Sequence, residues 1–292
     1  VMTVNRLLLA LASCLVGYSP LLAADPLAFK DGDRVVLLGS TLIEREQRYG
    51  YWELALTLMN RDKNVVFRNL GWSGDTVFGE ARNAFDPSPK GFERMVTLTK
   101  ELKPTVVLVC FGHNESFEGA AGVEKFTKGL EKLLDAIADT KARIVLLSPT
   151  PFENAGPTTD AAAKNKNLVL YRDAIRDVAT KRKLEFIDLF AKLESFPGSP
   201  RTENGLHMGA EGYRASAAAL VGEAGSASAD AIRAKIVEKN QLFFHRWRPQ
   251  NETYLFGFRK HEQGKNAKEI VEFDPLIEAL EKEIAAAKKA VP

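Results

Sequence analysis

Arg34-Val-Val-Leu-Leu-Gly39-Ser40-Thr41 is an unbroken apolar run that ends in a glycine and two hydroxyl residues. A strand that is apolar at successive positions, rather than alternating, is covered on both faces, as in parallel sheets flanked by helices. Similar runs return at Val65-Val-Phe-Arg-Asn-Leu70, Thr105-Val-Val-Leu-Val-Cys110, Arg143-Ile-Val-Leu-Leu-Ser148 and Glu185-Phe-Ile-Asp188. Between them the apolar spacing becomes helical, near Gln47–Asn60, Phe92–Leu102, Val123–Asp139 and Asn165–Lys183, and a last helix is expected over Ala210–Val221. This alternation from Asp31 to about Asp188 predicts an α/β protein, a doubly wound three-layer α/β/α sandwich on a five-stranded parallel sheet. In open sheets of this kind ligands bind at the carboxyl ends of the strands. The residues just after each strand are therefore the first candidates for chemistry.

Four short motifs occupy such places: Gly39-Ser40-Thr41, Asn69-Leu-Gly-Trp-Ser-Gly74-Asp-Thr76, Gly112-His-Asn114 and Asn204-Gly-Leu-His207. Thr41, or Ser40 if the turn shifts by one residue, supplies a hydroxyl nucleophile, and His207 the general base. The backbone N–H of Gly74 and the side-chain amide of Asn114 are candidate oxyanion donors. Asn204, or Glu203 one position back, is the candidate orienter of His207. Glu44 and Glu46 flank the first motif as possible subsite groups or helix-dipole complements. Trp72 is a candidate sugar-stacking surface whose ordinary role is core packing. His113 neighbours Asn114 and is a further candidate for substrate contact. Glu115 and Glu118 are expected to be solvated, and Asp188 to be a turn or cap residue. No Cys/His cluster has metal-ligand spacing, so neither a metal nor a cofactor is expected.

With these blocks in place, the stretch from Asp31 to Leu220 resembles the SGNH, or GDSL-type, hydrolases, and most of all their secreted bacterial carbohydrate-esterase-like branch. The resemblance implies a flavodoxin-like fold and metal-free hydrolysis of esters through a Ser-His-Asp triad. It also implies an oxyanion hole in which Gly74 and Asn114 take part. Two positions depart from the family pattern. Thr41 stands where the nucleophilic serine belongs, and its β-methyl restricts χ1 and crowds the attack. Asn204 stands where the orienting aspartate belongs, and an amide cannot stabilise an imidazolium electrostatically. Two readings follow: an ester hydrolase acting on a carbohydrate or other small ester, or a catalytically silent protein that uses the same crevice to bind a glycan or an envelope partner.

The chain has 292 residues, with 40 Lys and Arg against 38 Asp and Glu, and a net charge of +2 excludes a strong electrostatic pull on nucleic acid. At the start, Asn5-Arg6 precede the apolar run Leu7–Val16, and Leu22-Ala-Ala24 ends the segment before Asp25. That layout predicts a signal peptide over residues 1–24 and a secreted or periplasmic protein. Leu11-Ala-Ser-Cys14 offers a competing lipobox, in which Cys14 would carry the anchor. The apolar run is too short, and too interrupted by Gly17 and Pro20, for a transmembrane helix. Cleavage after Ala24 leaves Cys110 as the one cysteine, expected to be a buried core residue.

The hydrolase-like domain is expected over 25–225 and an aromatic-rich C-terminal extension over 226–292. Ala224-Gly-Ser-Ala-Ser-Ala229 reads as a hinge, Asp230–His245 as a helix, and Asp274 as the N-cap of a charged helix opened by Pro275. The crowd of rings from Phe243 to Phe258 is expected to wrap the sandwich, with a lid or a partner surface as the alternatives.

Overall fold

The computed structural model describes residues 27–196, 198, 201–222 and 229–291. The signal-peptide segment, Cys14 and most of the hinge lie outside the described residues. Strands β1 (Arg34–Gly39), β2 (Val66–Asn69), β3 (Val106–Cys110), β4 (Arg143–Leu147) and β5 (Glu185–Ile187) form one parallel sheet in the order β2-β1-β3-β4-β5. The winding reverses between β1 and β3, whose last residues, Gly39 and Cys110, lie side by side. A crevice opens at that switch point.

Successive strand residues point to opposite faces, so each run feeds two cores. Val35 and Leu37 of β1, with Leu108 and Cys110 of β3, pack under α1 (Thr41–Tyr49), α2 (Tyr51–Met59), α6 (Leu189–Glu194) and α7 (Ala210–Val221). Val36, Leu38, Val107 and Val109 pack on the other face under α3 (Pro89–Glu101), α4 (Val123–Ala136) and α5 (Ala161–Arg182). Cys110 is a buried free thiol, as its place in an apolar run suggested.

Three local differences from the sequence reading have physical causes. The single helix expected over Gln47–Asn60 is two helices, because Gly50 adopts the left-handed conformation with φ +68° and caps α1. Helix α1 starts at Thr41 because Ser40 is its N-cap, so the first motif lies on a helix start. Helix α6 had no periodic signal of its own; Asp188 caps it by accepting from Ala191 N–H at 2.9 Å, the cap role foreseen for it.

The C-terminal region packs on the sheet edge. Helix α8 (Asp230–Trp247) lies against β2, α1 and α2, and α11 (Phe273–Ala287) lies against α8, with short α9 (Glu252–Leu255) and α10 (Lys260–Gln263) between them. A helix over an edge strand removes it as a template for pairing with other chains. Phe243 and Ile277 join the second core, whereas Phe256 and Phe258 are 53% and 71% exposed, so only part of the aromatic crowd is buried. Helix α11 begins at Phe273 with Pro275 inside its first turn, where a proline is tolerated. Asp274 is not its N-cap: its carboxylate is 2.8 Å from Arg246 Nε.

Candidate active site

Both hydroxyls of the first motif follow β1 directly. Ser40 is 5% exposed, and its Oγ accepts from Thr41 N–H at 2.6 Å and from Asn114 Nδ2 at 3.1 Å. Thr41 opens α1, and its Oγ1 accepts from Gly74 N–H at 2.9 Å. Gly74 has φ +75°, a left-handed turn that directs its N–H at that oxygen. Asn114 Nδ2 also donates to the backbone carbonyl of Asp75 at 2.7 Å, which fixes the amide. Asp75 is itself held by Arg82 at 2.5 Å, a pair with no exposed side-chain surface. Burial pushes the Asp75 carboxyl up, and the Arg82 guanidinium acts against that rise. Gly71 is required nearby, because a Cβ there would come within 2.1 Å of Glu44 N.

The histidine end is built differently. Asn204 Oδ1 accepts from Leu206 N–H at 3.2 Å and His207 N–H at 2.8 Å. Those bonds fix the amide, which leaves Nδ2 facing His207 Nδ1 at 3.1 Å. An amide nitrogen only donates, so Nδ1 must accept and the proton of the neutral ring sits on Nε2. Burial, and then the Arg45 guanidinium, hold His207 below the usual imidazole range, with Glu203 pulling the other way. Glu203 does not orient the ring: its carboxylate is 2.9 Å from Arg45 Nη2 and 3.1 Å from the Tyr49 hydroxyl that donates to it. The charge-assisted partner wins over the uncharged imidazole.

Ser40, Thr41, Arg45, His113, Asn114 and His207 line one cleft, walled by Leu42, Phe111, Leu206 and Met208, with a cavity of about 20 Å³. Three of the four motifs supply lining residues. The fourth, through Gly74, enters by its bond to Thr41. His113 packs on Phe152 with ring centroids 4.5 Å apart, and burial pushes it down to about 3, so it is neutral.

The other candidates lie outside the cleft lining. Glu44 is buried and fully engaged: it accepts from Ser73 N–H at 2.8 Å and Ser73 Oγ at 2.6 Å, and Arg248 Nη1 is 2.7 Å away. Glu46 is also buried and accepts from Trp52 N–H at 2.7 Å. Trp72 cannot offer a face to a sugar, since Arg248 covers it at 3.4 Å and Trp247 packs on it edge-on. Glu115 is buried, not solvated; it accepts from Val77 N–H and Gly112 N–H, each at 2.9 Å. Glu118 is exposed, as expected.

Arg45 escaped notice in the sequence, although its place four residues after Thr41 puts both on one helix face. Among the described residues, no group of three or more His, Cys, Asp or Glu is arranged to hold a metal ion, and no helix is long and apolar enough to cross a membrane.

The model of the GDSL-like lipase/acylhydrolase family matches residues 36–215, which spans every one of these motifs. The chain belongs to that family. This GDSL-like protein is therefore placed among the carboxylic ester hydrolases. Solved structures similar to it include LAE5, an α/β hydrolase enzyme from the metagenome of Lake Arreo, Spain, at 20% identity and a TM-score of 0.51, covering 68% of this chain and 99% of that one. A catalytic mutant of Axe2, an acetylxylan esterase from Geobacillus stearothermophilus, aligns at 16% identity and a TM-score of 0.52, covering 68% and 96%. BT4096, a gut microbial diltiazem-metabolizing enzyme, aligns at 20% identity and a TM-score of 0.50; the GDSL-like chain covers 47% of it, less than half its length, and 67% of itself. At these identities the likeness is one of fold. Among curated proteins no sequence matches.

Proposed function

We propose that this GDSL-like hydrolase removes short acyl groups, acetyl foremost, from a carbohydrate, with Thr41 as nucleophile and His207 as base. The observation that carries the reading is the placing of Thr41 Oγ1 on the Gly74 donor, in contact with a cleft shared by Asn114 and His207. A cavity of about 20 Å³ has room for a group of about methyl size. Carbohydrate as the alcohol is supported by the acetylxylan esterases of similar fold. The Axe2 catalytic mutants include replacements of a serine, an aspartate and a histidine, with the aspartate three positions before the histidine, the spacing of Asn204 and His207 here. The export signal read in residues 1–24 supports a substrate in the envelope or outside the cell.

In this mechanism Thr41 Oγ1 attacks the ester carbonyl carbon and gives its proton to His207 Nε2. The carbonyl electron pair moves to oxygen, which Gly74 N–H and Asn114 Nδ2 receive. The alcohol leaves with the proton from His207, and water, activated by the same ring, releases the acid. The first transfer needs a free Nε2 lone pair, which Asn204 opposes by donating to Nδ1. Turnover is therefore slow. That same bond favours the second reading, a silent protein that keeps the cleft for binding, because it makes His207 Nε2 a donor to whatever enters.

The test is hydrolysis of an aryl acetate by wild type, Thr41→Ala and His207→Ala. Turnover lost in both variants supports the enzyme reading. A wild type with no turnover, but with measurable binding of acetylated oligosaccharide that Thr41→Ala weakens, supports the binding reading.

A further inference from the structure

We infer that Arg248, supplied by the C-terminal extension, is a positioning residue for the loop that carries the Gly74 oxyanion donor. The inference rests on the ester-hydrolysis reading above. Three contacts define the clamp. The Arg248 guanidinium lies 3.4 Å above the centre of the Trp72 ring. Its Nη1 is 2.7 Å from Glu44 Oε2. Glu44 in turn takes both the backbone N–H and the hydroxyl of Ser73, at 2.8 and 2.6 Å. Trp72 and Ser73 directly precede Gly74, so the clamp holds the two residues before the donor.

Arg82 also lies near this ring, 5.4 Å from the Trp72 ring centre, and donates to Leu70 O at 2.9 Å. Two guanidiniums therefore lie at Trp72, one from the hydrolase body and one from the extension. A guanidinium suits such a site, since its plane stacks on an aromatic face while its edge binds a carboxylate. Arg248 also supplies a positive charge to the buried Glu44 carboxylate. Without it, Ser73 would be tied down by Glu44 alone.

Misplacing a catalytic donor by about 1 Å can cost about a hundredfold in rate. The expected result is that Arg248→Ala lowers kcat for an aryl acetate about tenfold to a hundredfold and changes KM less than twofold, with Arg248→Lys recovering part of the loss. The comparison variant is Ile284→Ala, which loosens the extension where it packs on Leu54 and Ile236, away from the loop. It should lower Tm and leave kcat in place. All variants are made in wild type and in the Thr41→Ser/Asn204→Asp background, which separates a weak native enzyme from a failed clamp.

A second readout needs no turnover. Hydrogen exchange in peptides covering residues 70–76 should speed up in Arg248→Ala and not in Ile284→Ala. Unchanged kcat and unchanged exchange in Arg248→Ala, or equal losses in both variants, would overturn the inference. Faster exchange confined to Arg248→Ala, with no turnover in either background, would leave the clamp standing and sink the hydrolysis reading instead.

Discussion

The oxyanion end and the histidine end of the cleft stand in contrast. At the first, Gly74 and Asn114 sit on rigid supports: a buried Asp75–Arg82 pair, a doubly engaged Glu44 and a carbonyl that fixes the Asn114 amide. At the second, the residue three before His207 gives the ring a donor where a base needs an acceptor. On the proposed mechanism, the fold therefore keeps two donors for developing charge while disfavouring the tautomer that would start the reaction. Conservation of geometry and competence for proton transfer are separate properties, and here they part company at one amide.

The sharpest way to break the contrast is Asn204→Asp. A carboxylate can accept from Leu206 N–H and His207 N–H through one oxygen and from Nδ1–H through the other, which frees Nε2. The reverse exchange in a serine-protease triad lowers kcat by about 10⁴, so a rise of about 10²–10⁴ in kcat is expected, larger when combined with Thr41→Ser. Steady-state hydrolysis of an aryl acetate checks it. No rise in either variant would mean that the tautomer is not what limits this site.

The opposite end should respond in the opposite sense. In the Asn204→Asp background, Asn114→Ala is expected to lower kcat by about 10²–10³, the usual cost of one oxyanion donor. A loss below threefold would show that Asn114 serves the Asp75 carbonyl and Ser40 alone.

Ser40 sharpens the contrast from within the intact end. Its hydroxyl accepts from Thr41 N–H and from Asn114 Nδ2, the second of which is a proposed oxyanion donor. If Ser40 holds that place at rest, Ser40→Ala raises kcat a few-fold while losing an N-cap worth about 1 kcal/mol, seen as a lower Tm. If Ser40 is the nucleophile instead, the same variant is dead. One kinetic measurement beside a melting curve separates the two.

How much of this was legible in the sequence follows from the range of the forces involved. The strands were readable because burial on both faces imposes a purely local, unbroken apolar pattern on Val35–Leu38 and Val106–Cys110. The motifs were readable because each sits directly after a strand or before a helix. The start of α1 was not, since Ser40 and Thr41 read as loop hydroxyls until the cap is seen. Glu203 was misplaced because its partners, Arg45 and Tyr49, lie more than 150 positions away. The clamp was invisible for the same reason, with 204 positions between Arg248 and Glu44.

Glu115 closes the set with the smallest effect, and it links the intact end to pH. Its two oxygens tie the Val77 and Gly112 amides, from the loops after β2 and β3, to one carboxyl. Burial pushes that carboxyl from 4.5 up to about 7. The folded protein therefore holds a proton between pH 4.5 and 7 that the unfolded chain has released, and stability falls as pH rises across this window. Glu115→Gln cannot ionise, and its NH₂ group faces one of the two amide donors. It should be less stable than wild type by about 1–2 kcal/mol near pH 5, where both side chains are neutral. Because the wild type alone loses stability toward higher pH, the gap should narrow and close by about pH 8. Denaturant melts of both proteins at several pH values read this directly. A gap that widens with pH would mean that the carboxylate form is the one that clamps the two loops.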